Sequence, residues 1–419
     1  MNISLMPGQR RGFVQIPASK SLCHRLFIMA ALSEGETNIS CGRPSKDVSA
    51  TISCLNSLGA SIWEKAQGLY AVRPIKEKEH IKAVLRCGES GSSLRFLLPV
   101  CGILGAEAEF IPEGRLLKRP LDSFSCELQR QGMEITKKDK SLFCRGKLCP
   151  GEFLLPGNES SQYISALLMA LPLLSGESSL KIINELQSEP YIKITEDVLR
   201  ASGLEFYTSR NKYIIPGNQR PKLHGFVECE GDYSSAAFFI CAGALSDGGI
   251  MLSGLNPDSF QGDREILNIV SKIGADVRII ENKIFIKKGR LKAVDVDASQ
   301  IPDLIPALAA LLSLCRGKSR IYNGQRLRLK ESDRIKTSCA MLKSLGADIE
   351  ESSDGLLISG KASLSGGICS SYNDHRIAMA AAVAACGCDK PVIIQGAEAV
   401  SKSYPDFWRD FLNLKGAEL

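Results

Sequence analysis

The chain repeats one arrangement of apolar and polar positions six times. In the first five copies an amphipathic run ends at a glycine and an alternating apolar segment follows, as in 55–62 (LNSLGASI) and 342–349 (LKSLGADI). The glycines that close the six runs are Gly59, Gly132, Gly203, Gly274, Gly346 and Gly416. Their spacing of 70–73 residues indicates one supersecondary unit repeated along the chain.

Each repeat contains two predicted helices of different character. The second, as in 47–58 and 332–345, carries one apolar stripe and is expected on the outside. The first is almost entirely apolar after its opening turn and is therefore expected in a core. These first helices are predicted over 19–32, 90–104, 160–174, 234–245, 302–314 and 374–386. With short alternating segments between the helices, we interpret each repeat as βαβαββ in an α/β fold whose sheets cover the buried helices.

The length of 419 residues predicts two similar domains of three repeats each. The midpoint of the six repeats falls near 225–230, after a stretch rich in proline and polar residues. A strand at 2–15 precedes the first repeat and is expected to pair with the last one. These placements predict a discontinuous domain of residues 1–19 and 230–419, and a second domain of residues 20–229.

Composition narrows the class of protein. The chain is 44% hydrophobic and 23% charged, and its net charge of +6 suits small anions. It has no block of lysines and arginines, so nucleic-acid binding is not expected. No apolar segment near the N-terminus predicts a signal peptide, and no membrane span is expected. Fifteen irregularly spaced cysteines and only four histidines indicate reduced thiols and no metal site, in a cytoplasmic protein.

The opening turns of the buried helices carry unexpected cations. A cation at a helix N-terminus opposes the helix dipole and is costly to bury unpaired, whereas a bound anion reverses that balance. The cations in these turns are Lys20, Arg25, Arg95 and Arg376. Arg334 also lies near a helix start, for which Ser332 is the predicted N-cap. Because the cations come from both halves of the chain, we expect phosphate or carboxylate ligands to bind in a cleft between the domains.

Nine short motifs carry a resemblance to a known family. They are PASKSLCHR (17–25), GESGSSLR (88–95), LLKRP (116–120), GNESSQY (157–163), SEPYIKIT (188–195), IPD (301–303), KESDR (330–334), YNDHR (372–376) and SKSYPDF (401–407). In this order they resemble the 5-enolpyruvylshikimate-3-phosphate (EPSP) synthase family over essentially the whole chain. The resemblance implies the enolpyruvyl transferase inverted α/β barrel, in which two similar domains each contain three repeated units with buried parallel helices.

The resemblance also implies a reaction. The family transfers the carboxyvinyl group of phosphoenolpyruvate to the 5-hydroxyl of shikimate 3-phosphate and releases phosphate, in the biosynthesis of chorismate and the aromatic amino acids. No metal or organic cofactor takes part, so the expected partners are the two small-molecule substrates. We expect a monomer, because no long apolar face indicates obligate assembly.

Matching the motifs residue by residue implies the site. Shikimate 3-phosphate is expected on Lys20, Ser21, Arg25, Ser160, Ser161, Gln162, Ser188, Asp303 and Lys330. Phosphoenolpyruvate is expected on Lys20, Gly91, Arg119, Gln162, Arg334, Arg376 and Lys402. The residues expected to act in catalysis are Lys20, Asp303, Glu331 and His375. Asp303 matches the base that takes the hydroxyl proton, and either Glu331 or Lys20 protonates the methylene carbon. His375 is a candidate partner of Glu331.

Three positions depart from the family pattern. Glu89 replaces the usual asparagine beside Gly91, and an acid so near an anion site weakens binding unless it points away or pairs with a cation. Lys193 stands where the family often has aspartate, and Glu189 where it often has lysine. These departures bear on affinity more than on the type of reaction.

Two alternatives stay open at the level of sequence. UDP-N-acetylglucosamine 1-carboxyvinyltransferase has the same fold and donor, but its loop carries a reactive cysteine where this chain has Gly114, and it lacks the NDHR pattern. A non-catalytic anion-binding protein on the same scaffold keeps the cations but needs neither Asp303 nor Glu331, which are both present here.

Overall fold

Six repeats of the sequence form six sheets with twelve α-helices in the described part of the chain. The structure is a computed structural model that describes residues 1–76 and 80–416. It separates into two units, which we call domain 1 (residues 1–19 and from 230 onward) and domain 2 (residues 20–229). The chain therefore passes between the domains twice, at 19–20 and at 229–230.

Domain 1 begins with two strands, and the whole of domain 2 follows. The first strands are β1 (Asn2–Leu5) and β2 (Arg10–Gln15). The elements of domain 2 are α1 (Lys20–Ala31), β3 (Thr37–Ser40), α2 (Lys46–Ser57), β4 (Ser61–Ala66), β5 (Leu69–Arg73), β6 (Lys82–Gly88), α3 (Gly91–Leu104), β7 (Glu107–Pro112), α4 (Asp122–Arg130), β8 (Met133–Lys137), β9 (Leu142–Gly146), β10 (Glu152–Pro156), α5 (Ser161–Ala170), β11 (Ser178–Ile183), α6 (Glu189–Ala201), β12 (Tyr207–Ser209), β13 (Lys212–Ile215) and β14 (Gly225–Glu228).

The rest of domain 1 follows the same plan. Its elements are α7 (Tyr233–Ala244), β15 (Ile250–Ser253), α8 (Ile266–Ile273), β16 (Asp276–Ile280), β17 (Lys283–Lys287), β18 (Val296–Asp297), α9 (Ile305–Leu312), β19 (Lys318–Tyr322), α10 (Arg334–Ser344), β20 (Asp348–Glu351), β21 (Leu356–Ser359), β22 (Gly367–Ser370), α11 (His375–Ala385), β23 (Val392–Gln395), α12 (Phe407–Asn413) and β24 (Lys415–Gly416). A short 3-10 helix precedes several of the second helices, as at Gln325–Leu329 before α10.

The sheets share one strand order. In domain 2 the orders are β14-β3-β5-β4, β6-β7-β9-β8 and β10-β11-β13-β12. The first two strands of each sheet run parallel and the other two add an antiparallel hairpin. Two sheets of domain 1, β2-β15-β17-β16 and β18-β19-β21-β20, are arranged in the same way, with β24 added beside β2. In the third, β1 pairs antiparallel with β23, where the other sheets have a hairpin strand.

Strand pairing links the N-terminus to distant repeats. The predicted strand at 2–15 is two strands, because the chain turns at Pro7-Gly8, where Gly8 has a φ of +120° that favours glycine. The first part, β1, pairs with the last repeat as expected. The second, β2, pairs in parallel with β15 of the fourth repeat, which the sequence did not indicate. In domain 2 the corresponding place beside β3 is taken by the domain's own last strand, β14.

The first helix of each repeat forms the core, as its apolar sequence predicts. Every residue of α7, α9 and α11 is buried, and the second helices bury one face, as α8 does with Ile266, Ile269, Val270 and Ile273. The expected start of the fifth buried helix at 302 is wrong. Helix α9 begins at Ile305, because Pro302 and Asp303 lie in a turn before it. No helix among the described residues is both long enough and apolar enough to span a bilayer.

The strand arrangement predicts that domain 2 is an independent folding unit. A fragment of residues 20–229 contains every partner of its three sheets, so we expect a single cooperative unfolding transition in thermal or urea denaturation.

A shorter fragment of residues 20–218 is the control. It lacks β14 and the buried Leu223, whose carbonyl accepts a hydrogen bond from Thr37 Oγ1. We expect its free energy of unfolding to be lower by roughly 2–4 kcal/mol. Non-cooperative melting of the longer fragment would contradict the independence of domain 2.

Candidate functional site

The guanidinium of Arg334, at the first position of α10, is surrounded by three carboxylates of domain 1. Its Nε lies 2.9 Å from Asp374 Oδ2, its Nη1 2.8 Å from Asp303 Oδ1 and its Nη2 2.7 Å from Glu331 Oε2. The side chain is 1% exposed. Burial lowers the pKa of Arg334, but the three carboxylates outweigh this and hold it above the ordinary value. The group therefore carries a permanent, fully paired positive charge.

Asp303 connects two arginines. Its Oδ2 lies 2.9 Å from Arg376 Nη2, while its Oδ1 accepts from Arg334 and lies 3.6 Å from Lys330 Nζ. Asp303 stands in the turn before α9 and does not cap that helix, whose N-cap is Leu304. Burial lowers the pKa of Lys330 to about 8, although the charge of Asp303 opposes the shift. Asp303, Lys330, Arg334 and Arg376 thus form one charged group.

The start of α11 adds further predicted residues to this group. Asp374 caps the helix by accepting a hydrogen bond from the Arg376 backbone N–H at 3.0 Å. Lys402 Nζ donates to the carbonyl of Asn373 at 2.6 Å, and Asn373 has a left-handed φ of 55°. His375 is buried, with Nδ1 3.8 Å from Asp374 Oδ1. Its partnership with Glu331 stays a prediction.

The predicted N-cap of α10 is wrong. Asp333, not Ser332, caps the helix, because its carboxylate accepts from the Lys336 backbone N–H at 3.1 Å. Ser332 is buried and its hydroxyl donates to Asp374 Oδ2 at 3.0 Å. Ser332 therefore fixes the carboxylate that holds Arg334.

Asp263 is a buried acid that sequence reasoning missed. It lies between β15 and α8, is 2% exposed, and accepts a hydrogen bond from Ser234 Oγ at the start of α7. Burial first, and then the charge of Asp303, raise the pKa of Asp263 to about 7, against the opposing effect of Arg376. In the fourth repeat, the carboxyl group of Asp263 thus lies at the start of the buried helix α7.

In domain 2 one predicted cation pairs with a carboxylate and another contacts only neutral groups. Lys20, the first residue of α1, forms an ion pair with Asp47 Oδ2 at 2.9 Å. Arg25 is 2% exposed and its guanidinium donates to hydroxyl and carbonyl oxygens. These oxygens are Thr195 Oγ1 at 2.7 Å, the Ser21 carbonyl at 2.7 Å, the Tyr191 carbonyl at 2.9 Å and Ser165 Oγ at 3.2 Å. Burial lowers the pKa of Arg25 to about 9, because none of these neutral groups compensates its charge.

The start of α3 gathers two further guanidinium groups. A Cβ on Gly91 would lie 2.6 Å from Arg95 Nη1 and 3.1 Å from Arg119 Nη1, so only glycine leaves room for both. Gln162 accepts from Arg95 Nη1 at 2.7 Å and donates to Ser92 Oγ at 3.0 Å. Gly91, Arg119 and Gln162, predicted on phosphoenolpyruvate, therefore lie together.

The predicted serines of domain 2 lie at helix starts, where free backbone N–H groups bind anions. Ser160 caps α5 by accepting from the Gln162 N–H at 3.3 Å, and Ser161 is the first residue of that helix. Ser21 lies in the first turn of α1. Ser188 precedes α6 in a left-handed conformation with φ 58°, buried and without a capping bond from its hydroxyl to the helix.

The structure accounts for the departures from the family pattern. Glu189 and Lys193 lie one turn apart on α6, 3.7 Å between Oε1 and Nζ, so the two exchanged charges pair with each other. The Glu89 carboxylate lies against Gly114, where an added Cβ would be 2.7 Å from Oε2. Gly114 adopts a φ of +57°, so a side chain at this position would be strained, whereas glycine is not.

The sequence identified the cations but not the acids that hold them. The sequence predicted anionic ligands for the cations at helix starts, and in the structure two of these cations also have protein partners, because Lys20 pairs with Asp47 and Arg334 with Asp374. Asp47 and Asp374 both lie near helix starts, where an acid is ordinarily explained by capping or by the helix dipole. The sequence therefore did not indicate that they pair with cations. Within residues 1–76 and 80–416, no three or more His, Cys, Asp or Glu side chains are grouped to hold a metal ion.

Comparison with known proteins gives a consistent result. The family model described as EPSP synthase (3-phosphoshikimate 1-carboxyvinyltransferase) matches residues 6–411. Proteins named 3-phosphoshikimate 1-carboxyvinyltransferase from Clostridium novyi and Clostridium kluyveri are 42% and 43% identical to the chain. The alignments cover 99% of this chain in both cases, and 98% and 97% of those proteins.

Solved structures show the same fold. EPSP synthase from Acinetobacter baumannii superposes with a TM-score of 0.81 at 27% identity, over 99% of this chain and 98% of that one. The enolpyruvyl transferase NikO from Streptomyces tendae superposes with a TM-score of 0.79 over 98% and 96% of the two chains, and at 18% identity this shows the fold alone.

The buried Asp263 predicts a dependence of stability on pH. An acid whose pKa is raised in the fold keeps a proton that the unfolded chain releases near pH 4, so the fold loses stability as pH rises from about 4 to about 7. Asp263→Asn removes this loss. We expect the stability of the variant relative to the parent to increase by about 2 kcal/mol between pH 5 and pH 8, measured by urea unfolding.

A second variant tests the direction of this effect. Ser234→Ala removes a hydrogen bond that favours the ionised form of Asp263, so it should steepen the loss of stability with pH. An unchanged difference between Asp263→Asn and the parent across this range would show that Asp263 does not titrate there.

Proposed function

The chain belongs to the EPSP synthase family, and from this premise we propose that it transfers the carboxyvinyl group of phosphoenolpyruvate to the 5-hydroxyl of shikimate 3-phosphate. Phosphate leaves, and the product, 5-enolpyruvylshikimate 3-phosphate, leads to chorismate and the aromatic amino acids. The protein acts without a cofactor, as a cytoplasmic monomer, with these two substrates as its partners. A cleft that receives residues from both domains stays a prediction.

The buried guanidinium of Arg25 is the observation that carries the proposal. In the part of the chain that the structure describes, every hydrogen bond of this group goes to a neutral oxygen. A charge held in this way is costly, and a ligand phosphate supplies the compensating negative charge. Ser160, Ser161 and Ser188 add hydroxyl groups and helix N-termini that suit the phosphate and ring hydroxyls of shikimate 3-phosphate.

The charged group of domain 1 suits phosphoenolpyruvate. Its carboxylate and phosphate are proposed ligands of Arg334, Arg376 and Lys402, with Arg119 supplying a further guanidinium from domain 2. Cations of this number offset the repulsion between two anionic substrates, which must approach each other for transfer.

We assign Asp303 as the base, and its carboxylate becomes available when the substrate binds the arginines that hold it. Both of its oxygens are bound by cations in the structure, so neither is available to a hydroxyl. When the anionic groups of phosphoenolpyruvate bind Arg334 and Arg376, they replace Asp303 as the partner of these arginines. The freed carboxylate accepts the proton of the attacking 5-hydroxyl.

Protonation of the methylene carbon has two candidates. Glu331 is bound to Arg334 Nη2, and Lys20 is bound to Asp47, so each has a defined position beside a group of opposite charge. His375 is buried next to Asp374 and acts as a positioning residue. Glu331 and Lys20 both remain candidates for the acid.

The alternative acceptor, UDP-N-acetylglucosamine, is not favoured. The cysteine that marks that enzyme would stand at position 114, where this chain has a glycine in the left-handed conformation, which a side chain would strain. A purely binding function is also not favoured, because Asp303 and Glu331 are built into the same group of charges as the arginines.

A coupled phosphate-release assay tests the proposal. The full-length protein is mixed with phosphoenolpyruvate and either shikimate 3-phosphate or UDP-N-acetylglucosamine as acceptor. We expect phosphate release only with shikimate 3-phosphate, with the carboxyvinyl product identified by mass spectrometry. Release only with UDP-N-acetylglucosamine would support the alternative enzyme, and release with neither would support a binding protein.

Substitution of the proposed base makes a separate prediction. Asp303→Ala should lower kcat by roughly 10²-fold or more, because no other group takes the hydroxyl proton, while shikimate 3-phosphate still binds in calorimetry. Asp333→Asn is the matched control, since it replaces a nearby acid but keeps the cap of α10, and its turnover should match the parent. Full turnover in Asp303→Ala would remove Asp303 from this role.

A further inference from the structure

Three buried thiols of domain 2 meet beside the two places where the chain passes between the domains. Cys23 Sγ lies 3.4 Å from Cys229 Sγ, although 206 positions separate the two residues along the chain. Cys41, directly after β3, is a third buried thiol, and the Cys23 side chain raises its pKa. The three side chains are no more than 8% exposed, and the proposed reaction uses none of them.

Backbone contacts hold the first two thiols in place. Cys23 lies in the first turn of α1, and the Cys229 N–H donates to the Ser40 carbonyl at 2.9 Å, which continues the pairing of β14 with β3. Just across the domain boundary, within domain 1, the Ser19 N–H donates to the Glu230 carbonyl at 2.8 Å. The outgoing and returning segments of the chain are thus paired within domain 1, and the returning strand β14 is held against β3 within domain 2.

We propose that Cys23 and Cys229 are a modification site, at which a reversible disulfide joins the two ends of domain 2. The sulfur atoms need to approach by about 1.4 Å to reach the length of a disulfide bond. Small rotations about the Cα–Cβ bonds supply such a shift. The proposed site consists of these two thiols.

The oxidant is hydrogen peroxide. One cysteine attacks the peroxide as a thiolate and becomes a sulfenic acid, with loss of the second oxygen as water. The other thiol attacks the sulfenic sulfur, forms the S–S bond and expels a second water molecule. Two thiols thus lose two electrons and two protons, and one peroxide gives two waters. A dithiol reductant reverses the modification.

Cys41 is the competing partner of Cys23. Its hydrogen bond with Cys23 and its burial raise the pKa of the Cys41 thiol, which keeps it protonated and unreactive. Cys229 is more exposed than Cys41, so a peroxide reaches it more readily. Both observations favour the pair with Cys229.

The disulfide has two consequences. It closes a loop that spans domain 2, so it should raise the temperature at which that domain unfolds. It also fixes the first turn of α1, which carries Lys20 and Ser21, to the end of the last strand. This second consequence rests on the proposed function, and we expect turnover to fall about tenfold because the substrate-binding turn can no longer adjust.

Peptide mapping of the full-length protein tests the bond itself. The protein is treated with hydrogen peroxide, its remaining thiols are blocked, and it is digested without reduction. We expect a linked peptide pair containing Cys23 and Cys229 that disappears on reduction. Replacing the exposed Cys126 and Cys149 by serine prevents links between molecules. A bond of Cys23 to Cys41, a bond only between the buried Cys101 and Cys144, or no bond at all would overturn the proposal.

Matched variants separate the modification from the reaction. Cys229→Ser and Cys23→Ala should keep the turnover of the reduced parent but lose its sensitivity to peroxide, whereas Cys41→Ala should keep both. A linked protein with full turnover would overturn the effect on activity. If the reduced parent shows no turnover with shikimate 3-phosphate, the proposed function fails, while the mapping still decides whether the disulfide forms.

Discussion

The ion pairs of Arg334 are the interaction on which the charged group of domain 1 depends. The guanidinium touches a carboxylate before α9, one before its own helix and one at the start of α11, so it connects the fifth repeat to the sixth. Removing one partner from such a group leaves a buried charge without compensation, which costs roughly 3–5 kcal/mol. The positions of Asp303, Glu331 and Asp374 are therefore set together, and a ligand that binds one member acts on all of them.

The two domains compensate buried positive charge in different ways. Domain 1 supplies its own carboxylates, and in the fourth repeat Asp263 brings a carboxyl group to the start of α7. Domain 2 pairs Lys20 with the carboxylate of Asp47, but it surrounds Arg25 with neutral oxygens and leaves that charge uncompensated. The buried helices thus differ in how the charges at their starts are compensated. At some starts the protein supplies the opposite charge, and at others the uncompensated charge suits an anionic ligand.

The sequence predicted the helices well because their signal is local. The apolar runs that predict the first helices match α1, α3, α5, α7 and α11 within a few residues. The exception, α9, begins three residues later than expected, because residues 302–304 form a turn, and Pro306 is tolerated in the first turn of the helix, where its missing N–H has no intrahelical partner. The partners of the cations could not be predicted in this way. Asp47 is 27 positions from Lys20 and Asp374 is 40 from Arg334, so only the packing of repeats brings each pair together.

The pairing of β2 with β15 sets an order of events during synthesis. The N-terminal strand emerges from the ribosome first, but its partner begins at Ile250, after all of domain 2. At the usual rate of translation, roughly 10–50 s pass between the two strands. Domain 2 has its complete set of strands before β2 has any partner, so β2 stays unpaired while domain 2 forms. Domain 1, which contains residues from both before and after domain 2, is then completed last.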